Sequence, residues 1–391
     1  MAAIYIHVPF CRQRCSYCDF YFVTSHRELS DYVDAVCREI TMRASRVGSI
    51  GPVKTVYFGG GTPSRLSIEH LQSILDTVSR HFGLGEVEEV TIEVNPEDPD
   101  ATYLDGLRAL GFTRLSIGLQ SLRGVDLEFM KRSHSVEQGM AFVELATSAG
   151  FQSVSMDLIF GLPQMTEAAW RDNLEYAVSS GVQHVSLYGL TIEPKTVLGK
   201  LVRTGKVEPA ADTEMEAQFR VADGMMTGHG FEHYEISNFA KPGHRSRHNQ
   251  SYWNHTNYLG FGPSAHSFLQ IDDAKRSENF RSLRLYLEKL RSGELPTSME
   301  EKLDEGRLMQ EYVLLGLRTS AGIDLATLRD EYGYRLSPAG ESLVSDLRSA
   351  GMLERAGDRV ILTLDGFLVA DSITSALLTR DAITLSLTGH A

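Results

Sequence analysis

Six short β-type runs, at residues 4–8, 53–58, 89–94, 114–118, 153–160 and 184–189, punctuate the first half of the chain. Amphipathic stretches with helical spacing lie between them, at 31–44, 67–81, 101–110, 136–149 and 167–179. Alternating β and α units of this length predict an α/β fold with a parallel sheet and right-handed crossovers. Six units suit a partial (β/α)6 barrel; an open doubly wound sheet is the competing geometry. Residues able to do chemistry cluster at the carboxyl ends of the runs: the cysteine loop, Gly59-Gly60-Gly61-Thr62-Pro63, Glu93, Gln120, Asp157, and Tyr188 with Thr191. That placement favours the barrel, whose sites are built at those ends.

Beyond Thr191 the pattern changes. A helix near 212–227 leads to a strand-like 234–236, then to a Gly-, His- and aromatic-rich region, 241–267, with little periodicity. From about Met299 the chain is helical again. Helices near 304–316, 325–332 and 340–350 precede a hairpin-like 353–364 turned at Ala356-Gly357-Asp358, an order that resembles a winged helix. The expected organisation is a barrel over 1–200, an extension over 201–298 and a winged-helix-like domain over 299–391.

A chain of 391 residues is long enough for two or three domains. Its formal charge of −13 argues against binding nucleic acid by phosphate neutralisation. No stretch approaches ~20 apolar residues, which excludes a spanning helix. The first residues, Met1-Ala2-Ala3-Ile4-Tyr5, read as a strand and not as a signal peptide. A cytoplasmic location follows as the expectation, and there cysteines serve more often as ligands than as disulfides.

Of the four cysteines, Cys37 falls in a helical pattern and reads as a core residue. Cys11, Cys15 and Cys18 crowd into eight residues. A structural zinc site wants four ligands; His7 and His26 are the candidates to complete one. The stronger reading is a [4Fe-4S] cluster on three thiolates, leaving one iron open to a substrate or cosubstrate. The CxxxCxxC spacing, with Tyr17 before the last Cys, resembles the signature of the radical S-adenosylmethionine (SAM) superfamily. That resemblance implies that SAM chelates the open iron.

The glycine triplet is by default a tight turn, but beside a cysteine loop it offers backbone groups to a ligand. No Lys-Ser/Thr pair follows it, so it is not a phosphate loop. Glu93 and Asp157 sit in otherwise apolar runs, where a carboxylate is costly unless paired. Ribose hydroxyls or an ammonium group would supply the partner, and a Lys or Arg is the structural alternative. Gln120 and Arg132 are weaker candidates; Arg132 also fits a solvated helix face.

Tyr5-Ile6-His7-Val8-Pro9-Phe10-Cys11, the triplet region 59–63, and the stretches 92–96, 115–120 and 157–163 resemble the oxygen-independent coproporphyrinogen III oxidase family over most of the chain. The resemblance implies cluster ligation by Cys11, Cys15 and Cys18. It implies SAM contacts from Tyr5, Gly60, Gly61, Thr62, Glu93, Gln120, Arg132 and Asp157, with Tyr17 and Thr191 beside them. Two departures stand out. Phe20 replaces a further Cys of the decarboxylating enzymes, and the chain begins almost on its first strand. Both are shared by a sister branch, the HemW-type heme chaperones, which carry an HNxxYW motif. Here that motif is His248-Asn249-Gln250-Ser251-Tyr252-Trp253.

An imidazole such as His248 can ligate iron, and Tyr252 and Trp253 can pack on a porphyrin face, with Asn249 beside them. Lys241, Arg245 and Arg247, with no acid between 241 and 255, would meet heme propionates. His233, His244, His255 and His266 are alternative ligands. Residues 301–391 hold 9 Lys/Arg and 14 Asp/Glu, so the winged-helix-like unit lacks the basic stripe of a DNA reader. The expected function is therefore binding heme and passing it to acceptor hemoproteins, respiratory cytochromes among the candidates, with a [4Fe-4S] cluster and SAM aboard. The alternative is an oxygen-independent coproporphyrinogen III oxidase that converts propionates to vinyl groups with loss of CO₂. Phe20 and the HNxxYW motif favour the chaperone.

Overall fold

The computed structural model describes residues 1–271, 273–379 and 381–386. Strands β1 (Ala2–Val8), β2 (Val53–Gly60), β3 (Glu89–Val94), β4 (Arg114–Gln120), β5 (Ser153–Phe160) and β6 (His184–Gly189) lie side by side in that order, all parallel. Between them run α1 (Leu29–Val47), α2 (Ile68–Phe82), α3 (Ala101–Ala109), α4 (Gly124–Met130), α5 (Val136–Ser148) and α6 (Glu167–Ser179). Strand residues pointing either way are buried, which is why these runs are apolar throughout. Ser67, Asp100, Ser135 and Thr166 each accept a backbone N–H at the start of α2, α3, α5 and α6. Such caps are worth about 1 kcal/mol apiece.

The rest of the sheet comes from the region read as aperiodic. After α7 (Val197–Arg203) and α8 (Asp212–Gly228), β7 (Glu232–Glu235) and β8 (Asn238–Ala240) form a hairpin, with β8 antiparallel to β6. The short α9 (Arg247–Trp253) then carries the chain to the opposite edge. There β9 (Asn257–Phe261) pairs parallel with β1, becoming a seventh parallel strand. β10 (His266–Ile271), β11 (Asp273–Asn279) and β12 (Thr297–Lys302) continue antiparallel. The order β12-β11-β10-β9-β1-β2-β3-β4-β5-β6-β8-β7 leaves the barrel open, with no pairing between its outer strands among the described residues.

A buried carboxylate ties this extension to the core. Glu39 of α1 accepts from Arg43 Nε (2.7 Å), Asn279 Nδ2 (2.8 Å), the Tyr286 hydroxyl (2.7 Å) and the Gly262 N–H (2.9 Å). Tyr286 lies on α10 (Leu283–Arg291), so one side chain joins α1, α10, β11 and the turn after β9.

The C-terminal region has its own core around Val313, Leu328, Val344, Val360 and Leu377. Helices α11 (Glu305–Gly316), α12 (Leu325–Asp330) and α13 (Pro338–Ser349) precede the hairpin Leu353–Ala356 and Arg359–Leu362, in the expected order. Arg276 grips Glu311 with both guanidinium nitrogens, at 2.7 and 2.8 Å, fastening the region to the sheet. No helix among the described residues is long and apolar enough to cross a membrane.

Candidate cofactor and ligand site

At the carboxyl ends of the parallel strands lies a cavity of about 970 Å³. Cys11, Cys15 and Cys18 line it together with Tyr5, Tyr17, Gly60, Gly61, Thr62, Glu93, Gln120, Arg132, Asp157 and Thr191. Six strand ends bring these residues together from across nearly two hundred positions. The cysteine loop is pinned from several sides. The Cys11 N–H donates to Val23 O at 2.9 Å, the Ser16 hydroxyl to Phe129 O at 2.9 Å, and the Leu198 N–H to Ser16 O at 2.8 Å.

Burial pushes the Cys11 thiol up to about 12 and Cys18 up to about 11. Thiols held protonated in this way release their protons when a metal binds them. No three His, Cys, Asp or Glu side chains among the described residues converge on a single-ion position. His7 is also engaged, one ring nitrogen 3.1 Å from the Tyr5 hydroxyl and the other 3.1 Å from Tyr21 O. Buried thiols with His7 engaged are the donor set that a polynuclear cluster with one open iron would take; His26, the other candidate to complete a zinc set, keeps an unpartnered Nε2.

Glu93 receives the Tyr57 hydroxyl on Oε1 (2.8 Å) and the Gly60 N–H on Oε2 (3.1 Å). Asp157 accepts weakly from Ser116, at 3.3 and 3.4 Å. Neither forms an ion pair with Lys or Arg among the described residues. Burial raises Glu93 to about 7, the nearby Asp157 adding to the effect, and raises Asp157 to about 6. Two buried carboxyl groups with no ion-paired cation among the described residues, Arg114 and Arg132 acting on Asp157 only from a distance, suit a ligand bearing an ammonium group and hydroxyls.

Arg132 does not lie on a solvated face. Its Nη2 donates to Asn95 Oδ1 (2.7 Å) and Gly118 O (2.9 Å), and its Nη1 lies 3.6 Å from Cys15 Sγ. Its buried Nε has no partner, an unspent donor suited to a ligand carboxylate. Gln120 holds φ of 71°, a left-handed conformation that non-glycine residues adopt at a cost, and it does so facing the cavity. Gly60 has φ of 107°, and a Cβ there would stand 2.6 Å from the His7 ring. Asn95 and Tyr57, absent from the sequence-based candidates, position Arg132 and Glu93; nothing local to either residue marks it.

The HNxxYW segment sits differently from the expectation of an open iron ligand. His248 is 1% exposed, with Nδ1 2.8 Å from Thr55 Oγ1 and Nε2 2.9 Å from the Tyr252 hydroxyl. Its ring stacks on Tyr57 at 4.9 Å, and burial lowers its pKa to about 3. Both ring nitrogens are occupied because the start of α9 is drawn down onto the sheet by Glu89, which accepts the N–H groups of Arg247 and His248. Asn249, Tyr252 and Trp253 line a second chamber of about 290 Å³ with Glu235 and Asn238, and Tyr252 and Tyr188 face both spaces. Of the basic residues in this segment, Arg245 pairs with Glu232, Arg247 with Glu88, and Lys241 lies over the Phe231 ring.

Residues 5–177 match the radical SAM superfamily, and residues 303–369 match the HemN C-terminal domain. The fold, with its three-cysteine loop at the mouth of an open barrel, is therefore that of a radical SAM protein. Over 381 residues the chain is 32% identical to heme chaperone HemW of Bacillus subtilis, covering 97% of this chain and 99% of that one. It is 35% identical over 379 residues to heme chaperone HemW of Mycobacterium tuberculosis, covering 96% and 94%. The chain belongs to the HemW family. Among solved structures, the coproporphyrinogen III oxidase HemN from Escherichia coli shares the fold, with a TM-score of 0.82 over 97% of this chain and 90% of that one, at 22% identity.

Proposed function

We propose that this chain is a heme chaperone that binds heme and transfers it to acceptor hemoproteins, and that it carries a [4Fe-4S] cluster and SAM. The observation that carries the reading is the full-length relation to proteins named heme chaperone HemW, on a fold whose cavity ends in an exposed phenylalanine. Phe20 is 70% exposed at the cavity rim, where the decarboxylating relatives resembled by this sequence carry a cysteine.

Cys11, Cys15 and Cys18 would hold the cluster, which would supply one-electron redox chemistry beside SAM. Around it the chain's own groups have separable tasks. Glu93 and Asp157 would accept hydrogen bonds from the ligand's ammonium and ribose groups. Arg132, through its unpartnered Nε, would hold a carboxylate. Tyr17 lines the cavity beside the three thiols. Tyr252, which faces both chambers, would contact the cargo from the wall of the large cavity, with Asn249 and Trp253 extending that contact into the smaller chamber and His248 hydrogen-bonded to the Tyr252 hydroxyl.

Titrating heme into anaerobically reconstituted protein and then adding an apo-cytochrome tests the reading. Saturation near one heme per chain, followed by transfer, is the expected result. Failure to bind heme, together with SAM-dependent loss of CO₂ from a porphyrinogen, would instead assign the oxidase reaction.

A further inference from the structure

Two histidines among the described residues line the large cavity, His7 and His266. His7 is buried with both ring nitrogens engaged. His266 opens β10 at the rim, its side chain 50% exposed. We propose that His266 is the residue that ligates the iron of bound heme, with Phe20 against the porphyrin face and Arg281 meeting a propionate. The proposal rests on the heme-binding reading above and names the site at which that binding occurs.

His266 has beside it a carboxylate of the kind that supports a metal-ligating imidazole. Such a ring usually keeps its other N–H on a carboxylate, which fixes its orientation and raises its basicity. Glu278 stands directly across the strand pair, its Oε1 3.8 Å from His266 Nε2, a carboxylate contact longer than a hydrogen bond. No hydrogen bond among the described residues engages Nδ1. Partial burial lowers the pKa of His266 against the pull of Glu278, so the ring is neutral and able to ligate near pH 7.

The base is rigid. A Cβ on Gly260 would stand 2.1 Å from the His266 carbonyl, so the two backbones are in close contact, and the Gly260 N–H donates to Ser267 Oγ at 2.9 Å. Arg281 is exposed on the same rim and donates to Asp19 O at 2.9 Å, which ties this edge to the cysteine loop. A guanidinium there offers a propionate a charge-assisted hydrogen bond. The competing ligands are poor: the phenols of Tyr252 and Tyr258, which also line the cavity, are held protonated by burial.

The test is heme titration of the full-length, cluster-loaded protein, read by Soret difference spectra. His266→Ala should lose the imidazole-ligated band and at least about tenfold in affinity, the range seen when metal-site support is removed. Added imidazole should restore the band, which a merely structural defect would not allow. Arg281→Ala should weaken heme but leave heme dimethyl ester unchanged. An unaltered band and affinity in His266→Ala would overturn the proposal. So would loss of ligation in a folded His248→Ala protein while His266→Ala retains it. Absence of any stoichiometric heme binding by the wild type would instead overturn the chaperone reading, and this assignment with it.

Discussion

Tyr57 and Glu93 meet across neighbouring parallel strands, the phenol donating to Oε1 at 2.8 Å while the Gly60 N–H holds Oε2. The pair keeps a carboxyl group beside the cysteine loop at the expense of stability. Glu93 titrates near 7 in the folded chain, above an ordinary carboxyl, because burial disfavours its charge. Folding therefore takes up a proton between the two values, and stability falls as pH rises through that window. Glu93→Gln removes the ionisation. The variant should melt higher than wild type at pH 8 by the equivalent of about 1 kcal/mol, show little gain at pH 4, and lose SAM affinity at both. Thermal melts paired with calorimetric SAM titration check this; a variant that melts lower at pH 8 contradicts it.

Iron content separates the four thiols. Alanine at Cys11, Cys15 or Cys18 should abolish cluster incorporation on anaerobic reconstitution, measured as iron per chain. Cys37 lies on α1 with its thiol 3.6 Å from Ser73 O, away from the cavity, and Cys37→Ala should retain full iron. Loss of iron in Cys37→Ala alone would refute the assignment. Because the Cys11 and Cys18 thiols are held protonated by burial, loading should release protons and run faster at pH 8.5 than at pH 7.

Much of this site was legible because its signals are local. The three cysteines, the glycine triplet and the lone carboxylates stand out against apolar runs, and strands buried on both faces announce themselves without alternation. The extension was not legible. β11 reads Asp-Ala-Lys-Arg-Ser-Glu-Asn, and only its neighbours β10 and β12 make it a strand. Glu39 looked like one more polar position on an amphipathic helix, because its partners Asn279 and Tyr286 lie some 240 residues away. His248 looked available for the same reason: Thr55, which takes its Nδ1, is 193 positions distant.

His248 predicts an acid response. In the folded chain its pKa lies near 3, and in the unfolded chain near the ordinary 6.5, so below pH 6.5 the unfolded state binds the extra proton. Stability is then lost as pH falls from 6.5 toward 3, at up to about 1.4 kcal/mol per pH unit for one such group. His7, lowered to about 4, acts in the same direction. His248→Gln should unfold at lower urea near neutrality because a buried bond partner is lost, yet show a shallower decline of the urea midpoint between pH 6.5 and 4. Parallel slopes for variant and wild type would rule this out.

Removing the Glu39 carboxylate should be severe. Glu39→Ala removes the carboxylate paired with buried Arg43, the acceptor of Tyr286 and the Gly262 N–H, and one of the two acceptors of Asn279 Nδ2, a class of loss that costs about 3–5 kcal/mol. Limited proteolysis should then cut first within 257–302. First cleavage in the C-terminal region would contradict the role assigned to this carboxylate.

The seventh parallel strand alters what β1 is. Six strands alone would have left β1 at the border of the sheet, where a strand frays and can be captured by another polypeptide. With β9 laid along it from Ala2 to Ile6 and β2 along the other side, β1 is sealed at both margins. The loop bearing the three thiols thus hangs from a strand paired along both edges. If a large flat cargo enters here, as proposed above, the exposed rim at Phe20, His266 and Arg281 has more room to yield than the floor that bears the cysteines.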